Sequence, residues 1–67
     1  MKTKDNYDVY VGMWVSCVDN LVEITEIYND KVYSREVIFD DDSSDKYHFG
    51  DEIIINSNEL KTKYEYL

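Results

Sequence analysis

The sequence predicts an all-β domain, a small and strongly bent antiparallel barrel of five to six strands with a single helical turn near Ser57-Leu60. Three observations lead there. Val, Ile and Thr number sixteen and Tyr, Phe and Trp ten among 67 residues, while Ala, Gln and Pro are absent. Branched and aromatic side chains suit a pleated, half-buried surface and lose rotamer freedom against a helical turn. The apolar residues also come in short runs that alternate with polar ones, and pairs such as Asp19-Asn20, Asn29-Asp30 and Gly50-Asp51 punctuate those runs as turns do.

The elements follow in order. Residues 1 to 8 are polar and are expected to be a flexible amino-terminal segment, leaving residues 9 to 67 as one β-barrel domain. "VYVGMWVSCV" reads as the first strand, with Val11, Met13, Val15 and Cys17 on one face and Trp14, Ser16 and Val18 on the other; Gly12 marks a start, bend or bulge. "LVEITEIY" is the second strand. Ile27 falls out of phase with Val22 and Ile24, and one extra residue at Thr25 or Glu26, a β-bulge, would return it to the core. In "VYSREVIFD", the third strand, neither face is wholly apolar; Val37 with Phe39, or Ile38, is expected inside, and the register stays open. A short strand at "KYHF", a turn at Gly50-Asp51 and a very apolar "EIIIN" come next. "SNEL" has the polar start of a helical turn, and "KTKYEYL" alternates as a last edge strand whose lysines would discourage sheet-to-sheet association.

The stretch "VGMWVSC" followed by "VEITEIYNDKVY", with the "SNEL" turn before a final strand, resembles the SH3-like small barrels, a group that includes Tudor and KOW-type modules. The resemblance covers roughly residues 9 to 67 and lies in the pattern of elements. Small domains of phage and mobile-element proteins look similar. What the resemblance implies is a binding module; the fold alone does not choose the ligand.

Size and charge exclude several functions. A chain this short holds one small core and has no room for a second module or a deep cleft. Fifteen acidic against seven basic residues give a formal charge of −8, which repels phosphate backbones and anionic lipid and steers basic partners inward. Direct nucleic-acid and membrane binding are therefore not expected. Cys17 is the only cysteine, so no intrachain disulfide forms. "MKTKDNYDVY" has no apolar signal core and no run has membrane length, so a reducing, cytoplasmic setting is expected.

The chemistry-bearing stretch is "FDDDSSDKYHFGDE", with six carboxylates in residues 39 to 52. Asp40, Asp42 and Ser44 have the alternate spacing of a calcium loop, but Asp45 stands where the sharp turn wants Gly and Asp51 where a bidentate Glu would close the site. No metal and no cofactor is expected. As a binding surface the stretch does better. Asp40, Asp41, Asp42, Asp45, Asp51 and Glu52 could imitate successive phosphates and pair with Arg and Lys of a basic groove. Alternatively the stretch is only a solvated hairpin tip. Trp14 is either core or, beside Tyr28, Tyr33 or Tyr47, part of an aromatic platform for a peptide. His48 and Cys17 lack the partners that acid-base or nucleophilic catalysis needs. Gly-rich phosphate loops, CxxC and HExxH are absent. The sequence thus points to a non-catalytic acidic protein-binding domain, in its sharpest form an inhibitor that occupies the basic groove of a nuclease or other nucleic-acid-binding protein. The alternative is an SH3- or Tudor-like adaptor using Trp14, Tyr33 and Tyr47.

Overall fold

Alternation and turn chemistry build the sheet much as the residues require. The structure, a computed structural model, describes residues 1–40 and 45–67. Strands β1 (Trp14–Cys17), β2 (Asn20–Tyr28), β3 (Lys31–Phe39) and β4 (Tyr47–Asn56) form an antiparallel meander. Helix α1 (Ser57–Lys63) then carries the chain to β5 (Glu65–Tyr66), which pairs with β1. The strand order is β4-β3-β2-β1-β5. Among the described residues no ladder joins β4 to β5, so the expected barrel is corrected to an open five-stranded sheet.

The first two hairpin loops, β1–β2 and β2–β3, have two residues each. Tyr28 pairs with Lys31 around Asn29-Asp30, where Asn29 takes the positive φ of 35° that a tight turn demands. Cys17 pairs with Asn20, so the first loop is Val18-Asp19, one residue earlier than the expected Asp19-Asn20. That position leaves Val18 99% exposed. Gly12, at φ 93°, begins β1 by a turn in which its amide donates to the Ile24 carbonyl.

The bulge expected near Thr25 is present: the β2–β3 register shifts between Ile24 and Glu26, and Ile27 packs against the core. The expected turn at Gly50-Asp51 is not. Arg35 pairs with Glu52 and Val37 with Phe49, so Gly50 and Asp51 together face Glu36 in a second bulge within a continuous β4. Glycine fits that place because a Cβ there would stand 2.8 Å from Glu36 Oε1 and 2.9 Å from Ile38 Cδ1. Lys61 and Lys63 are corrected too. They occupy the last turn of α1, where positive charge complements the helix dipole, rather than an edge strand.

One face of the sheet carries the core, formed by Met13, Val15, Val22, Ile24, Val32 and Ile55 with Leu60 of α1 and Tyr64 above them. Each aliphatic side chain buried there stabilises the fold by about 1.5–3 kcal/mol. Val11, expected on this face, is exposed, and Cys17 packs at its margin. On β3 the core face belongs to Val32 and to Ser34, whose hydroxyl donates to the Ile53 carbonyl at 2.7 Å. Val37 is buried as expected, though outside this cluster and on the outward face, whereas Phe39 is exposed and is corrected as a core residue.

The first eight residues, expected to lie outside the folded unit, contribute to it. Thr3 is 3% exposed, its amide donates to the Tyr7 carbonyl, and the Lys4 amide donates to the Tyr64 carbonyl. Asn6 makes the turn with φ 69°. The molecule measures 37 × 20 × 17 Å.

Candidate functional site

The outward face of the sheet, opposite the core, assembles the side chains able to make a site. Cross-strand register puts Trp14, Glu23, Arg35 and Glu52 in one row across four strands. Beyond that row lie the pairs Val37 with Phe49 and Phe39 with Tyr47. Side chains alternate along strands, so Arg35, Val37 and Phe39 of β3 share this face with Tyr47 and Phe49 of β4.

These residues touch. The Trp14 ring meets Tyr47 edge-on with centroids 5.0 Å apart and Phe39 at 6.0 Å. Phe39 and Tyr47 stand 6.1 Å apart, and Tyr47 meets Phe49 at 5.6 Å. Edge-to-face pairs of this kind align the positive ring edge with a neighbour's negative face. The Arg35 guanidinium lies 3.5 Å from the Phe49 centroid, a cation–π contact. Although they pack together, Phe39, Tyr47 and Phe49 stay 39–44% exposed, and Trp14 is half-buried. The cluster is a ledge open to solvent.

Glu23 ties the ledge to the sheet. Its carboxylate accepts from Trp14 Nε1 at 3.0 Å and from Arg35 Nη2 at 2.8 Å. The indole N–H holds the Glu23 carboxyl below the ordinary glutamate range, burial acts against this, and Arg35 adds to the lowering. The sign of the linkage follows. A depressed folded-state pKa gives stability that is fully present above the unfolded value, about 4.3 for Glu, and that is lost as pH falls through the folded value. The stability gap between wild type and Glu23→Gln, measured by urea unfolding, should therefore be widest near neutral pH and narrow in acid. A gap that stayed constant from neutral to acid conditions would show that the Glu23 charge does not hold the ledge.

The acidic candidates occupy one end and one edge of the same sheet. Antiparallel connectivity brings Asp40 and Asp45, which flank the β3–β4 connection, to the end that also carries Asp19 in the first hairpin loop. Asp40 stands 3.2 Å from His48 Nδ1, and its amide donates to the Lys46 carbonyl. Asp51 and Glu52 are exposed at the β4 bulge. Asp41 and Asp42 lie outside the described residues, as does Ser44 of the calcium-loop spacing. Among the described residues no three His, Cys, Asp or Glu side chains converge as a metal set.

The aromatic candidates divide. Tyr47 joins Trp14 as one of the offered neighbours. Tyr33 instead packs edge-on to Tyr28 at 5.8 Å, on the part of the face opposite Glu26 and Ile54. Sequence reasoning missed Glu23, Arg35, Phe39 and Phe49 as site residues. The signal for three of them was present in the shared parity of Arg35, Val37 and Phe39 and of Tyr47 and Phe49. Cys17 borders a shallow hollow of about 260 Å³ with Ser16, Asp19 and Leu67, away from the ledge.

Among the described residues no helix is long and apolar enough to cross a membrane. No protein-family model, no curated protein and no solved structure matches this chain.

Proposed function

We propose that this is a non-catalytic cytoplasmic protein-binding domain that docks a basic partner on its outward face. The observation that carries the reading is the exposed ledge of Trp14, Phe39, Tyr47 and Phe49, with Glu52 in the adjoining cross-strand row and the exposed carboxylates Asp40 and Asp51 at the end and edge of the same sheet. Exposed rings that are already packed against one another lose little conformational entropy on docking, and aromatic anchors dominate many protein interfaces. The carboxylates add direction. With a net charge of −8, the domain attracts cationic surfaces, and Arg or Lys side chains can meet rings and carboxylates together.

This reading keeps the kinship with SH3-like barrels as a proposal. It is supported by the meander of four strands, the short helix, and a last strand that returns to β1. It also keeps phosphate mimicry as a second reading, in which the partner is a nuclease or other nucleic-acid-binding protein and the domain is its inhibitor. The exposure of Asp40, Asp45, Asp51 and Glu52 favours that version.

A partner recovered from lysate at low salt and then purified allows the test. Its affinity should fall steeply with added salt. Joint replacement Asp40→Asn, Asp51→Asn and Glu52→Gln should weaken binding by about tenfold or more, since each 1.4 kcal/mol is a factor of ten. Binding indifferent to both salt and the triple replacement would remove phosphate mimicry and the basic partner with it.

A further inference from the structure

We propose that the outer edge of β4 takes an extended basic segment of a partner as an added strand. The inference rests on the reading of this domain as a binder of basic proteins, and it specifies how the partner is held.

The two ends of the sheet are treated differently. β5, at one end, has only two residues, and the Asp5 carboxylate accepts from the amide of Tyr66. The adjoining Tyr64 carbonyl accepts from the Lys4 amide. The amino-terminal residues thus cover that edge. β4, at the other end, runs for ten residues, and among the described residues no backbone hydrogen bond reaches its outer side. Exposed edges are commonly guarded by lysine, proline or a cover, and β4 contains neither Lys nor Pro. Only the bulge at Gly50-Asp51 interrupts it.

Charge selects the occupant. A second copy laid antiparallel along the whole strand would set Asp51 opposite Glu52, and like charges directly opposite destabilise a pair. A segment carrying Lys or Arg would instead place cations beside those carboxylates. Its side chains alternate, so every second one would stand on the outward face next to Tyr47, Phe49 and Glu52, continuing the ledge. Backbone pairing supplies affinity and the ledge supplies selectivity, a division known for strand-adding domains.

The probe is a peptide of about eight alternating Lys and Val residues, the length of an ordinary strand. Its twin has the same side chains with the central amides N-methylated. The parent peptide should slow hydrogen exchange of β4 amides and bind about tenfold or more tighter than the twin, the equivalent of 1.4 kcal/mol. Equal binding of the two would overturn strand addition while leaving the basic-partner reading intact, because charge and rings would then do the holding. Failure of both peptides to bind would overturn both. A dimer joined along β4 in solution, read by sedimentation and exchange, would overturn the choice of occupant.

Discussion

Leu60→Ala is expected to leave much of the domain unfolded at room temperature. Leu60 is the one buried residue of α1 and is fully enclosed with Met13, Val15, Ile24 and Ile55. Trimming such a leucine removes its transfer energy and leaves a cavity, together about 2–5 kcal/mol. A single core of this size rarely supplies more than about 3–5 kcal/mol in all. The loss also spreads, because α1 delivers Tyr64 to the core and β5 to its pairing with β1. Leu60→Met, which conserves volume, should cost less than about 1.5 kcal/mol. Urea unfolding followed by far-ultraviolet circular dichroism separates the two. If Leu60→Ala were as stable as Leu60→Met, the core would not depend on the helix.

The same physics decides how much of the fold could be read beforehand. Strand type was legible because branched and aromatic residues alternate with polar ones, and the β2 bulge because Ile27 breaks that alternation in a way only an extra residue repairs. Gly50-Asp51 misled because glycine followed by aspartate serves a turn and a bulge equally well. What separates the two is the room beside Glu36 and Ile38, a property of the neighbouring strand. The role of residues 1 to 8 was hidden for a similar reason. Thr3 is an ordinary polar residue locally, and its burial depends on the carboxyl-terminal segment to which Lys4 and Asp5 are tied.

Register explains why the site was only half visible. Centring the first hairpin on Asp19-Asn20 would set Trp14 opposite Thr25; centring it on Val18-Asp19 sets Trp14 opposite Glu23. One residue of slip in a loop therefore removes the hydrogen bond that orients the indole. The parity of Arg35 with Val37 and Phe39 was legible, but the contact of its guanidinium with Phe49 depends on the β3–β4 register and was not. The acidic stretch, by contrast, was conspicuous in composition, yet only Asp40, Asp45, Asp51 and Glu52 of its candidates are among the described residues. Composition exposes a charge field readily, whereas a packed ledge emerges only from pairing.

That contrast gives the ledge its decisive test. Replacing Tyr47 and Phe49 together with alanine should lower affinity for a basic partner by about thirtyfold or more, the loss expected when a hot spot worth about 2 kcal/mol is removed. Both rings lie outside the main core and are 44% and 39% exposed, so the sheet beneath should keep its circular dichroism. Some stability is lost, because Phe49 pairs with the buried Val37 and carries the Arg35 guanidinium, and a urea titration measures that cost separately. Tyr28→Ala serves as the control, since Tyr28 meets Tyr33 and belongs to the other aromatic pair; its affinity should stay within about threefold of wild type, a change under 1 kcal/mol. Charge and rings then separate by salt. Loss of rings should weaken binding at every salt concentration, while loss of carboxylates should chiefly flatten the salt dependence. If the double variant bound like wild type and only the carboxylate variant failed, the domain would be holding its partner by charge alone, and the rings would serve to cover Val37.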